Sequence, residues 1–409
     1  MSRYDILSAA PQRTLSLDEA SKNNDPFALV RYVLGEQIAP IADVPFAGGA
    51  LGYWSYDLAR RMYALPNIAQ NGEHVPDMAI GIYDWAMVLD HYQKTARLVS
   101  HQRFTETAVL LPQVLERLQS NLQLPPDTFC VQGNISTNFT PESYAAAFEV
   151  IQDYLKSGDC YQINLAQRFS AAAMGEAFGA YLTLRHLSPA PYSAFLNLPQ
   201  AQILCASPER FLRVQNGCVE TKPIKGTRPR SSDAQQDNRL AEELRSHPKD
   251  RAENLMIVDL LRSDLGKSCA PGSVHVAKLF EVESFASVHH LVSTVEGTLE
   301  EGRDALNVLR DCFPGGSVTG VPKQRAMQII EQLEPHRRGI YCGAIGYIGF
   351  DGNMDTNIVI RTLVYSDNEI HCWAGGGIVA DSDVAAEYQE TLDKASAMLK
   401  LIQRYIKKT

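Results

Sequence analysis

The run from Tyr341 to Val379 constrains the fold more than any other part of the chain. Three strand-like stretches, "YCGAIGYIGF", "DTNIVIRTLVY" and "IHCWAGGGIV", are joined by Asp351-Gly352 and Asp367-Asn368. Links of this kind turn a chain straight back, so the three read as an antiparallel meander. "AQILCASPERFLRV" and "CVETKPI", joined at Asn216-Gly217, predict another hairpin, with Lys225 just past its end. "MAIGIYDWAMVLDHY" is strand-like. "CYQINLAQRF" alternates, with Tyr161, Ile163 and Leu165 on one face and the amides Gln162 and Asn164 on the other, which predicts a half-buried strand. Helices are announced by Thr140-Pro141 with a stop at Gly158, and by Ser382 or Asp383 ahead of the stripe Tyr388, Leu392, Ala395, Leu399, Ile402 and Ile406. Runs of strands with helices between them predict an α+β fold. The proline pair in "NLQLPPDTFCVQGNIST" (121–137) marks a linker between an N-terminal region, 1–120, and a longer region, 138–405, read as parts of one intertwined unit.

With 409 residues, 45% of them hydrophobic, the chain can bury one large core or two. Its net charge of −9 is spread without a basic block, which argues against nucleic acid as a partner. Eight cysteines without a CxxC pair point to reduced thiols and a cytoplasmic setting. No apolar run approaches the roughly 18 residues of a membrane span, so no membrane association is expected.

Several residues carry possible chemistry. Asp250 and Glu253, and again Glu387 and Glu390, stand three apart on expected helices. Like charges at that spacing repel. Each pair is either solvated or, if the two pairs converge, built for a cation, and oxygen-only ligands favour Mg²⁺. The glycine-rich stretches "FPGGSVTGVPK" and "AGGGIV" let backbone amides approach an anion, although the first lacks the lysine placement of a nucleotide-binding loop. Arg361 is either a carboxylate partner or half of a structural ion pair. Glu209, after a proline among apolar neighbours, is an edge-strand glutamate or a desolvated general acid. Lys225 is a solvated turn lysine or an amine held against a substrate. His289-His290 alone is a weak signal.

Together, "GDCYQINLAQRF", "SPERF", "PIKGT", "DRAENLMIVDLLRSDLGK", "HHLVSTVEG", "FPGGSVTGVPK", "GAIGYIGFDGNMDTNIVIRTL" and "AGGGIVADSDVAAEYQETLDKA" resemble the chorismate-utilising enzymes, in motif order from about residue 45 onward. The resemblance implies an anthranilate-synthase-type sandwich of two antiparallel sheets with helices outside. It also implies amination of chorismate at C4: members that aminate there carry lysine at the position of Lys225, where anthranilate-forming members usually carry alanine. Lys225 would attack the ring at C2, Glu209 would protonate the departing 4-hydroxyl, and ammonia would expel the lysine from C4. Glu253 and Glu390 match Mg²⁺ ligands, with Asp250 and Glu387 as supporting acids. Tyr341 and Arg361 match positions that hold the enolpyruvyl carboxylate, helped by Gly375, Gly376 and Gly377, and substrate contact extends to Thr319 and Gly320. His290 matches the base that drives pyruvate loss in anthranilate-forming members. Gln162 stands where water-activating members carry a lysine base, and an amide cannot serve as one.

No Cys–His amidotransferase motif is evident, so the resemblance implies a separate glutamine amidotransferase subunit that supplies ammonia. Amination at C2 to give anthranilate, or chorismate binding without turnover, are the alternatives. Val321 and Ser263 depart from the usual alanine and asparagine. The N-terminal region reads as shorter than in relatives, so no tightly bound tryptophan is expected.

Overall fold

The computed structural model describes residues 3–18, 25–120, 123, 126–285 and 288–407. Among them, antiparallel strands form sheets of ten, seven and three. The largest runs, edge to edge, through Ile224–Pro229, Val288–Thr298, Cys218–Thr221, Arg210–Gln215, Met354–Ile358, Ala344–Gly349, Gly49–Trp54, Met78–Tyr83 and Arg13–Leu17, with His275–Ser284 also paired to Val288–Thr298. The second runs from Gly320–Val321 through Gln162–Met174, Glu369–Ile378, Thr362–Ser366 and Gln202–Ser207 to Tyr192–Asn197, with Cys130–Thr137 also on Gln162–Met174. Segments from both regions of the chain therefore share the largest sheet.

The two large sheets face one another across one core. Trp54, Phe211, Leu212 and Ile348 from one sheet pack with Ala166 and Trp373 from the other. Helices cover the outer side of the smaller one: Ile163 and Leu165 pack against Tyr144 and Ile151 of helix Pro141–Lys156 and Ile329 of helix Lys323–Leu333. This is the α+β sandwich expected.

Several local readings need correction. The meander is split. Ala344–Gly349 and Met354–Ile358 pair in the larger sheet, whereas Thr362–Ser366 and Glu369–Ile378 pair in the smaller. The chain crosses between them at Val359, Ile360 and Arg361. Arg361 thus lies outside any strand, at φ +49°. The expected hairpin is likewise divided: Gln202–Ser207 belongs to the smaller sheet, and only the turn at Asn216-Gly217 joins paired strands. The strand from Gln162 is buried on both faces, with Gln162, Ile163 and Leu165 fully inaccessible, because it has helices on one side and the opposite sheet on the other. Of the predicted linker, 121–122 and 124–125 lie outside the described residues, and Cys130–Thr137 is a strand. Both predicted helices form: Thr140 caps the first, and Asp383 caps Val384–Arg404.

Candidate active site

Lys225 lies within strand Ile224–Pro229 rather than after a strand end. The ladder to Val288–Thr298 is interrupted between Ile224 and Thr227, and Gly226 takes φ +82°. That irregularity re-aims a side chain, a common use of bulges beside sites. The half-buried Lys225 amine makes no hydrogen bond or ion pair with the described residues. Burial lowers its pKa; Glu253 opposes this most strongly, Lys394 adds to the lowering, and Glu209 and Glu390 oppose it more weakly. One amine therefore feels acids from three separate elements.

Glu209 sits at the break where the chain passes from one large sheet to the other, 6% exposed. Its Oε1 accepts from Ser317 Oγ at 2.9 Å. Burial pushes its pKa up to about 7, against the opposing pull of Ser317, Lys225 and the Ile224 backbone. A carboxyl half-protonated near neutrality suits a general acid. His290 is buried beside this strand, its Nδ1 2.9 Å from Thr227 Oγ1. Burial and the Arg361 charge hold it down at about 4, so the imidazole is neutral.

The acid pairs lie on helices Pro248–Leu265 and Val384–Arg404, and Lys249 links them. Its Nζ lies 4.0 Å from Glu253 Oε1 and 3.7 Å from Glu387 Oε1. Burial raises Glu253, with Glu387 and Asp250 adding to the rise. Burial raises Glu387 too, opposed by a 2.6 Å bond from Ser382 Oγ. Burial pushes Glu390 upward as well, but its 2.6 Å pair with Lys394 wins and holds it low. Asp250 is occupied by Arg228 at 3.2 Å and His247 at 3.0 Å. Among the described residues no three His, Cys, Asp or Glu side chains are grouped to hold a metal, so the four acids do not form a ready cage. Two repelling carboxylates that share one surface ammonium still fit a hard cation completed by water and substrate.

Glycines bring the remaining walls close. A Cβ on Gly376 would lie 2.9 Å from Glu387 Oε2, and one on Gly377 would lie 2.9 Å from Gln162 Nε2. Among the described residues, neither polar atom of the Gln162 side-chain amide has a partner. Strand Glu369–Ile378 outruns Thr362–Ser366, so Trp373 onward has a strand on one side only. Gly320, at φ +143°, abuts the Gln162 carbonyl, where a Cβ would fall 2.1 Å away. The Thr319 hydroxyl turns back to Gly315 O at 3.1 Å, so its side chain serves the loop. Val321 pairs with Gln162, half-buried, and Ser263 is exposed on its helix.

Arg361 forms no ion pair with the described residues, and burial alone lowers its pKa. The structural ion-pair reading of Arg361 therefore falls away. Tyr341 is buried, its ring stacked on Trp373 at 5.8 Å and 8°. Arg338, fully buried, lies over the Tyr341 ring at 5.7 Å and bonds Val318 O and Asn164 O, tying ring, glycine loop and amide strand together. Lys249, Lys394, Ser317 and Arg338 were missed from sequence. The two lysines neighbour the acids in "HPKDRAEN" and "QETLDKA", a signal that was available; Ser317 meets its partner only through tertiary folding, whereas Arg338 also pairs with Glu334, four residues earlier, at 2.7 Å.

A model of the chorismate binding enzyme family matches residues 2–400. The chain belongs to this family. It is 48% identical to aminodeoxychorismate synthase component 1 of Escherichia coli K12, over 98% of this chain and 90% of that protein. It is 38% identical to anthranilate synthase component 1 of Thermus thermophilus, over 98% and 89%. In fold, it matches anthranilate synthase component I from Streptococcus pneumoniae with a TM-score of 0.87 at 34% identity, covering 97% of this chain and 92% of that one. Relatives named for two different synthases are thus both similar to this chorismate binding enzyme over nearly its whole length.

Proposed function

We propose that this chorismate binding enzyme is the synthase subunit of an aminodeoxychorismate synthase, converting chorismate and ammonia to 4-amino-4-deoxychorismate and water for p-aminobenzoate and folate synthesis. The observation that carries this is the Lys225 amine: half-buried, without a bonded partner among the described residues, and set among Glu253, Glu209 and Glu390. An unperturbed lysine has only about one part in a thousand neutral at pH 7. Burial and Lys394 enlarge that nucleophilic fraction.

Arg361 and Tyr341 hold the enolpyruvyl carboxylate, with the amides of Gly375 to Gly377 beside it. The Lys225 amine bonds to ring C2, both ring double bonds shift, from C1=C2 to C1=C6 and from C5=C6 to C4=C5, and the C4–oxygen bond breaks. Glu209 gives its proton to the departing hydroxyl, which leaves as water. Ammonia then bonds to C4, both double bonds shift back, and the C2–lysine bond breaks to return the neutral amine. Glu209 recovers its proton from the new ammonium. Glu253 and Glu390, supported by Glu387 and Asp250, would hold Mg²⁺, which would neutralise the ring carboxylate and draw electron density toward it. Gln162 offers no base to activate water. His290, neutral and bonded to Thr227, orders the strand beside Lys225.

Ammonia comes from a glutamine amidotransferase subunit in the cytoplasm, a setting that suits eight unpaired cysteines. The test is product analysis with chorismate, Mg²⁺ and ammonium salt. Aminodeoxychorismate is expected, and glutamine should replace ammonium only when the partner is added. Fluorescent anthranilate as the main product, or glutamine use by the isolated chain, would contradict the reading.

A further inference from the structure

Glu73 is 1% exposed, distant in sequence from every motif, and unused in the chemistry above. A buried carboxylate is costly unless each oxygen is engaged. Here both are, and both engage neighbours of Tyr341. Oε1 accepts from Trp373 Nε1 at 3.0 Å, and Trp373 is the ring stacked flat on Tyr341. Oε2 accepts from the backbone N–H of Ile340 at 3.3 Å, one residue before Tyr341.

The surroundings are built for this approach. Gly339 takes φ +56°, and a Cβ there would lie 2.1 Å from Glu73 Oε2. Gln70 N donates to Pro335 O at 3.0 Å and Arg337 N to Gln70 O at 2.8 Å, clasping the loop before Glu73 onto the segment leading to Tyr341. Ser366 Oγ donates to the Glu73 carbonyl at 2.9 Å, anchoring the same residue to the smaller sheet.

We propose that Glu73 is a positioning residue that fixes the Tyr341 ring for the substrate carboxylate, by holding the stacked indole with one oxygen and the preceding backbone with the other. It rests on the reading of Tyr341 as a substrate contact. A glutamine whose carbonyl stays on the Ile340 N–H turns its own N–H groups toward the indole N–H, so the tether to Trp373 is lost. Trp373→Phe keeps the stack and removes the same tether from the opposite end.

The experiment is a double-mutant cycle on Glu73→Gln and Trp373→Phe. It measures KM for chorismate and kcat with saturating ammonium and Mg²⁺, alongside Tyr341→Ala. KM should rise about tenfold in each single variant with kcat within about threefold, and the double variant should be no worse than the poorer single one. Fold-changes that multiply, or a Glu73→Gln enzyme with unchanged KM, would overturn the proposal; if that variant does not fold, unchanged KM in Trp373→Phe does so. Unchanged KM in Tyr341→Ala would instead remove Tyr341 from the site, and the Glu73 proposal with it.

Discussion

Ser317 Oγ donates to Glu209 Oε1 at 2.9 Å, so the glycine-rich loop is bonded directly to the candidate acid. The bond favours the ionised carboxylate and moderates the upward push of burial. Ser317→Ala should therefore move the alkaline limb of the kcat–pH profile to higher pH. An unmoved limb would show that Glu209 does not set it.

Glu209 itself is a stability liability near neutral pH. Its folded pKa of about 7 stands above the ordinary 4.5, so the fold favours the protonated acid. That contribution is fully present below about pH 4.5 and is lost as pH rises to 7, a swing on the order of 3 kcal/mol. Glu209→Gln should match the wild-type Tm near pH 4.5, exceed it at pH 8, and lose at least about a hundredfold in kcat. Equal Tm values at both pH extremes would mean the carboxyl is not desolvated.

The acids on the two helices should govern Mg²⁺ affinity. Glu253→Gln and Glu390→Gln should each weaken Mg²⁺ binding about tenfold or more by calorimetry. Removal of Mg²⁺ by chelation should abolish turnover and be reversed by adding the ion back. Unchanged affinity in both variants would relocate the metal.

Arg361 pairs with no carboxylate among the described residues, so its loss should cost binding rather than folding. Arg361→Met should raise KM for chorismate at least about thirtyfold, with Arg361→Lys intermediate because lysine cannot bind in a bidentate fashion. A fall in Tm without a change in KM would return Arg361 to a structural role.

Much of this arrangement was legible in the sequence. Asn216-Gly217 and the caps at Thr140 and Asp383 encode local geometry, and they appear where expected. The sheet assignments were not legible, because a strand's alternation does not say which sheet receives it. The chain changes sheet at Pro208-Glu209 and again at Val359 to Arg361, and these crossings place Glu209 and Arg361. Gln162 and Asn164 were read as one side of a half-exposed strand because burial beneath a second sheet leaves no local trace. Glu73 was invisible for the same reason, since Trp373 and Ile340 lie far away in sequence; Arg338 has a local partner in Glu334, but its bonds to Val318 O and Asn164 O, which tie it to the site, are equally remote.

The central claim is that the Lys225 amine bonds to the substrate ring. The direct measurement is peptide mass spectrometry after incubation with chorismate and Mg²⁺ in the absence of ammonia. The account predicts a peptide containing Lys225 that is heavier by chorismate less one water, and its loss when ammonium is added. No adduct on trapping, or one on another residue while Lys225→Ala still aminates chorismate at the wild-type rate, would contradict it.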